Sequence, residues 1–437
     1  MRVLMLGWEF PPYISGGLGT ACYGLTKAMT RLGAQILYVL PTAATPVALG
    51  QSTEQRSPLE LTGLELMRFM AVPSAIRSPY EAANSSAHNS IRASAGPSPA
   101  VKKHLPAGPM LRVVGTGATG GYEGNLILRI TEYADRCVEM TADESFDVIH
   151  AHDWVTFPAG MAIAQRSGCP LVVHVHSTEF DRSGEWVNPA VYDIEREGVR
   201  QAAGIIAVSN LTKGIVVSRY GAPADKVHVV YNGIEARKAS APPPPKNGDE
   251  KVVLFLGRIT MQKGPEFFVR AAQRILGKLD NVRFVIAGWG DLGPKVIEQV
   301  IAMGLGSKVR FTGFIRGQEV EQAYRMADVY VMPSVSEPFG LTALEAIQQG
   351  VPVVLSRNSG VAEVLHRGAI KCDFWDVDVM ADRIVAVLTR PELAQALRDD
   401  GAKEIVALTW EAAARKCVQV YWQTMDGLGD RWSVRCA

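Results

Sequence analysis

The chain contains 437 residues, 47% of them hydrophobic and 20% charged, with a formal net charge of +1. This length exceeds what a single hydrophobic core organises, so two domains are expected, and the composition excludes disordered and coiled-coil classes. The near-zero charge gives no global basic field for nucleic acid, and no run approaches the about 20 apolar residues of a membrane-spanning helix.

In chain order, residues 2–6 (Arg-Val-Leu-Met-Leu) predict a buried strand, 20–32 a helix and 35–40 a second strand. The first strand is too short for the apolar segment of a signal peptide and Glu9 follows at once, so no leader is expected. Between strand and helix stand Gly16, Gly17 and Gly19, where missing side chains let backbone approach a ligand closely. A phosphate-binding turn, an acceptor cleft and a plain tight turn all fit them. Residues 74–109 are rich in Ser, Ala, Pro and Asn with few apolar anchors, and read as a flexible insertion.

Apolar runs at 146–150, 171–176 and 204–208 complete a first domain over residues 1–240. A proline-rich linker, 241–250, cannot continue a regular element. Strands are then predicted at 251–256, 282–287, 309–311, 329–332 and 351–355, giving a second domain over 251–407. Residues 408–437, with Trp410, Val418 and Tyr421 on a helical pattern, read as a terminal helix and tail returning to the first domain. The fold class is therefore α/β, two Rossmann-like domains facing each other across a cleft. The six cysteines, Cys22, Cys137, Cys169, Cys372, Cys417 and Cys436, form no Cys-x-x-Cys pair and no zinc-ligand spacing. They read as buried thiols of a cytoplasmic protein.

Two strand ends carry paired histidines, His150-Ala151-His152-Asp153-Trp154 and His174-Val175-His176-Ser177-Thr178-Glu179. Residues two apart share a strand face, and parallel sheets bind ligands at their C-terminal ends. A metal-dependent hydrolase is one reading, but no carboxylate ligand stands at a recognisable spacing. One buried, hydrogen-bonded histidine per strand is the other; it suits His150 and His174 and leaves His152 and His176 as site candidates.

In the second domain, the segment from Ser336-Glu337-Pro338-Phe339 to Gly340-Leu341-Thr342-Ala343-Leu344-Glu345 predicts a strand, a loop and a helix starting near Gly340. The free N–H groups of that first turn, with the helix dipole, suit phosphate oxygens. Glu345 stands one turn in, within reach of ribose hydroxyls, and Glu337 on the loop within reach of a sugar beyond a diphosphate. A capping Glu337 and a solvated Glu345 fit these residues equally. Arg258 and Lys263 flank a turn after strand 251–256. Either they converge on an anion, where they would stabilise charge growing on a departing diphosphate, or they are solvated surface charges. Gly288-Trp289-Gly290-Asp291-Leu292-Gly293 matches a dinucleotide fingerprint, but the acidic residue wanted about 20 positions on is replaced by Ser307-Lys308-Val309-Arg310. A dehydrogenase is disfavoured.

In order and spacing, these segments resemble the GT-B retaining glycosyltransferases of family four, which include archaeal-type glycogen synthases, over most of the chain. Glu337 and Glu345 match the family's E-x7-E motif, and Arg258 and Lys263 its diphosphate-binding basic pair. Val230-Tyr231-Asn232-Gly233-Ile234 is similar to the segment before the linker. The resemblance implies a catalytic set of Glu337, His176, Arg258 and Lys263, with His176 near the donor sugar. It implies donor binding by Gly16, Gly17, Gly19, Arg258, Lys263, Gly340, Leu341, Thr342 and Glu345. His152, Asp153 and Trp154 resemble a cleft-facing motif of glucan synthases, which implies acceptor binding. The implied activity moves a glucosyl unit from ADP- or UDP-glucose to an α-glucan with retention, without metal or cofactor; the implied partners are a nucleotide-sugar donor and a saccharide acceptor. The alternatives are the same chemistry on a glycolipid, sugar phosphate or surface polysaccharide, or a non-catalytic sugar-binding protein. In one departure, Ile14 stands where bacterial starch and glycogen synthases carry the lysine of Lys-x-Gly-Gly, so ADP-glucose specificity does not carry over.

Overall fold

A computed structural model describes residues 1–10, 16–42, 66–74, 126–235 and 249–426. Ile14, the insertion read at 74–109 except Ser74, linker residues 241–248 and the tail beyond 426 lie outside the described residues.

Seven parallel strands form the first sheet in the order β3-β2-β1-β4-β5-β6-β7. They are β1 (Arg2–Leu6), β2 (Gln35–Thr42), β3 (Met67–Pro73), β4 (Val148–His152), β5 (Leu171–Val175), β6 (Gly204–Ala207) and β7 (Val227–Val229). Six parallel strands form the second, in the order β10-β9-β8-β11-β12-β13. These are β8 (Lys251–Leu256), β9 (Val282–Ala287), β10 (Val309–Gly313), β11 (Val329–Met332), β12 (Val353–Ser356) and β13 (Ala369–Cys372). Helices cover both faces, which is why β4 and β5 are buried at every position and show no polar alternation.

The two faces of the first sheet carry separate cores. Leu4 and Leu6 pack with Ile149, Val173, Ile130 and Phe157 on one side. Val3 and Met5 pack with Val148, Val172, Cys22 and Leu25 on the other, as the two-residue period of a strand dictates. The second face is completed by the terminal helix, Trp410–Asp426, which buries Trp410, Ala413, Ala414, Cys417, Val420, Tyr421 and Met425. Each large side chain in that three-and-four spacing stabilises the seam by about 1.5–3 kcal/mol. The chain thus crosses between domains twice. The two crossings run side by side, with the Ile234 N–H donating to the Leu408 carbonyl at 2.9 Å.

β4 begins two residues later than the sequence predicts. Phe146 packs into the core instead, and Asp147 serves as a strand entry whose carboxylate accepts from the Arg2 N–H at 2.6 Å. Both His150 and His152 therefore lie inside the strand. In each sheet the strand order reverses at one place, between β1 and β4 and between β8 and β11. Loops beyond the C-terminal ends at such reversals form the ligand crevice of an open α/β sheet.

Candidate active site

The two crevices face each other. A Cβ on Gly17, after β1, would lie 4.0 Å from Leu341 Cδ1, after β11. Leu341 packs against apolar clusters of both domains. Nearby, the Ser336 hydroxyl donates to Asp181 Oδ1 at 2.5 Å across the cleft.

On the second-domain side, the loop after β8 is locked onto the loop after β11. The Val335 N–H donates to the Gln262 carbonyl at 2.9 Å. Gly264 adopts φ +65°, and a Cβ there would meet the Pro333 carbonyl oxygen at 2.1 Å, so only glycine fits. This contact brings Lys263 Nζ to 2.6 Å from Glu337 Oε2, which also accepts from the Ser334 hydroxyl at 3.2 Å. Glu337 is only 6% exposed, and its backbone is fixed by the Asn358 carbonyl and the Gly360 N–H, each at 2.9 Å. It does not cap a helix: the Leu341–Gln348 helix starts at Gly340 with no side-chain cap. Its first turn is therefore open to an anion. Arg258 is half-buried on the same loop as Lys263. Glu345 is half-buried rather than solvated, and accepts from the Tyr324 hydroxyl at 3.0 Å. Burial pushes its carboxyl up to about 6 against the lowering effect of that hydrogen bond.

On the first-domain side, Gly16 is the extended N-cap of the Gly17–Arg31 helix, so Gly17 and Gly19 sit in its first turn rather than in a free loop. Buried Glu9 accepts from the Gly19 N–H at 3.3 Å and complements that helix end. The four histidines form one stack across β4 and β5, where His152 pairs with His174. His152 Nδ1 is 2.9 Å from His176 Nε2, His150 Nε2 is 3.2 Å from His174 Nδ1, and His150 Nδ1 is 2.5 Å from the Tyr421 hydroxyl. Burial drives all four below the ordinary histidine range, His150 and His176 to about 3, so the stack is neutral. His176 is half-buried at the cleft, while His152 is fully enclosed.

Asp153 and Trp154 depart from the expected acceptor contact, as does enclosed His152. Asp153 takes the left-handed conformation, φ +58°, one of the few non-glycine types that tolerates it. That turn directs its carboxylate onto the N–H groups of His176 at 2.7 Å and Ser177 at 3.3 Å. Burial raises Asp153 to about 7, against the lowering effects of Arg182 and the two N–H donors. The same turn folds Trp154 under the sheet into the core, 3% exposed. His152 and Asp153 hold the chain that leaves β5, while Trp154 packs in the core.

Residues 2–78 match the starch synthase catalytic domain family, 90–238 match Glycosyltransferase Family 4, and 236–404 match Glycosyl transferases group 1. The chain is a glycosyltransferase of the GT-B fold. It is an enzyme, a hexosyltransferase. It is 29% identical to an uncharacterized glycosyltransferase of Methanocaldococcus jannaschii over 98% of this chain and 100% of the relative. It is 28% identical to the glycogen synthase of Mycobacterium tuberculosis, covering 98% of this chain and 96% of that one. Among solved structures, sucrose-phosphate synthase from Thermosynechococcus elongatus superposes with TM-score 0.71 at 19% identity, over 98% of this chain and 99% of that one. The Anabaena protein HepE, in complex with UDP and glucose, superposes with TM-score 0.66 at 17% identity, over 97% and 100%.

Several residues that shape this glycosyltransferase's cleft are not evident from sequence. Asp181 closes a capping box with Thr178 while its other oxygen receives Ser336; the Thr-x-x-Asp spacing is the available signal. Arg182 is buried between Glu179 at 3.0 Å and Glu195 at 2.5 Å, and also donates to the Ser177 hydroxyl at 2.8 Å. Glu363 of the second domain accepts from the N–H groups of Asn210 and Leu211 at 2.9 and 2.7 Å and from the Tyr231 hydroxyl at 2.9 Å, so one domain caps a helix of the other. Only tertiary structure pairs those partners. The fingerprint-like glycines also find their reason here: Cβ atoms on Gly288 and Gly290 would lie 1.9 and 2.3 Å from the carbonyl oxygens of Gly257 and Ile259. They permit backbone packing behind the Arg258 loop.

Proposed function

We propose that this glycosyltransferase moves a glucosyl unit from ADP- or UDP-glucose to an α-glucan, with retention of anomeric configuration. The observation that carries the reading is the Lys263–Glu337 pair beside the uncapped start of the Leu341–Gln348 helix, opposite Gly17 of the other domain. The diphosphate lies at that helix start, where backbone N–H groups, Arg258 and Lys263 stabilise the charge that grows as the glycosidic bond breaks. Glu345 accepts from the ribose hydroxyls, and Glu337 and His176 bracket the donor sugar. His152 and Asp153 act through His176, which they hold at its ring and its backbone. Leaving-group stabilisation by these groups supports same-face substitution, with neither a metal nor a further cofactor taking part. Closure of the cleft excludes water and limits hydrolysis.

The glycogen synthase relative supports the α-glucan acceptor. A second reading, a small phosphorylated acceptor, is favoured by 29% identity to a D-inositol 3-phosphate glycosyltransferase of Catenulispora acidiphila over 75% of this chain and 82% of that one. A cytoplasmic setting is supported by the burial of Cys22, Cys137, Cys372 and Cys417 as thiols outside any disulfide. Among the described residues no helix is long and apolar enough to cross a membrane. The test is a panel of nucleotide-sugars incubated with purified protein, with release of each nucleoside diphosphate measured with and without glycogen and inositol phosphate. Glycogen-dependent release from a nucleotide-glucose is the expected result; release stimulated only by the phosphorylated acceptor selects the second reading.

A further inference from the structure

We propose that Cys22, His152 and His176 form a binding site for a borderline-soft divalent cation such as Zn2+, and that its occupancy inhibits transfer by withdrawing His176 from the donor sugar. The inhibitory half rests on the role proposed above for His176; the binding half rests on geometry alone. One donor atom from each of the three residues lies within 4.8 Å of the other two. A tetrahedral zinc shell, with Zn–N near 2.0 Å and Zn–S near 2.3 Å, sets one sulfur and two nitrogen donors about 3.3–3.5 Å apart. Side-chain adjustment closes the difference.

The independent pointer is His152. Its Nδ1 is held at 2.9 Å by His176, while its Nε2 is fully buried and has no hydrogen-bond partner. His152 Nε2 is thus the uncommitted nitrogen of this ring, and His176, whose Nε2 holds the other one, would ligate through its own Nδ1. An orphaned buried nitrogen also carries a desolvation penalty that an ion would remove. A second triad, His150, His152 and His174, meets the same distance limit, but all three are fully enclosed. His176 is half-buried at the cleft, and it alone gives an ion an entry route.

The donor chemistry suits the ion. Burial keeps the imidazoles neutral, the form that ligates. Burial also keeps the Cys22 thiol protonated, so binding forms a sulfur–metal bond and releases that proton to solvent. One thiolate and two imidazoles select zinc-like cations over Mg2+ or Ca2+, which prefer oxygen.

The test uses Co2+ as a spectroscopic probe of the full-length protein. Titration is expected to give one saturable tetrahedral ligand-field spectrum with a thiolate-to-Co2+ charge-transfer band, removed by Zn2+. Among the described residues Cys22 is the sole cysteine in such a cluster, so the band reports this site. Cys22→Ala is expected to lose the band, weaken Co2+ binding at least about tenfold, keep its metal-free activity and resist Zn2+ inhibition. Absence of the band from the wild-type protein overturns the site and needs no variant. A band with transfer unaffected by saturating Zn2+, or inhibition unchanged in Cys22→Ala, overturns the inhibitory role. If no nucleotide-sugar is turned over, the functional reading fails while the Co2+ spectrum still decides the site.

Discussion

Lys263 Nζ stands 2.6 Å from Glu337 Oε2, joining the loop that leaves β8 to the loop that leaves β11. The pair keeps a nearly buried carboxylate compensated and holds a cation where the leaving group's charge would develop. Lys263→Ala and Glu337→Ala are each expected to lower kcat/KM for nucleoside diphosphate release by about 10²–10³. Lys263 retains 21% side-chain exposure, so the stability cost should fall below the about 3–5 kcal/mol typical of breaking a fully buried pair. Steady-state kinetics with urea melts of both variants measure this; near-wild-type turnover in either would remove that residue from the catalytic set.

Glu345 yields a pH signature for donor binding. With its carboxyl raised to about 6 by burial, the ionised form that accepts ribose hydroxyls dominates only above that pH. The donor KM is therefore expected to rise as pH falls through 6. Glu345→Gln should show a donor KM raised about tenfold or more at neutral pH, with a flatter profile below it. Donor KM against pH for both proteins decides the point, and a parallel rise in the variant would assign the effect to another group.

The strands legible in the sequence, such as β1, β8 and β11, are built on continuous apolar runs, a pattern that needs no tertiary information. β3 and β7 escape it because one shows a mixed exposure pattern at the sheet edge and the other spans three residues. The motif glycines, Glu337, Lys263 and Glu345 can be found because strand-loop-helix order places them at sheet ends. The depth of Trp154 cannot, because it follows from one backbone angle at Asp153. Nor can Glu363, whose partners lie 132 to 153 positions away in the chain.

Glu363 also predicts how the domains are held. Beside the N-cap Ser209, its carboxylate accepts from the first two N–H groups of the Asn210–Tyr220 helix, and it receives the Tyr231 hydroxyl. Glu363→Ala should cost about 0.5–2 kcal/mol of stability, the range for losing hydrogen bonds at a helix N-terminus. It should also loosen closure and raise the donor KM more than it lowers kcat. Urea unfolding with hydrogen exchange at residues 210–212 tests this, and unchanged protection there would mean the clasp does not bind the domains.

The neutral histidine stack makes stability fall in acid. His150 and His176 are held at about 3 in the folded protein against an ordinary 6.5, and His152 and His174 well below it. Between those values the unfolded chain binds more protons than the folded one. The contribution is therefore complete above 6.5 and is lost as pH falls toward 3. Asp153 acts oppositely: raised from 3.8 to about 7, it takes up a proton on folding and loses its contribution as pH rises through that window. Glu345 and Glu195, also raised by burial, act in the same sense as Asp153. Each tenfold difference in proton affinity between the folded and unfolded chain is worth about 1.4 kcal/mol, and the four histidines outweigh these three carboxyls. The urea midpoint should accordingly climb as pH is raised from about 5 to about 6.5, then level off. His150→Phe, which keeps a ring beside Tyr421 but cannot titrate, should reduce the slope. A midpoint that is flat or falls over that range would show that the stack is protonated in the folded enzyme, with its nitrogens paired otherwise than through His152–His176 and His150–His174.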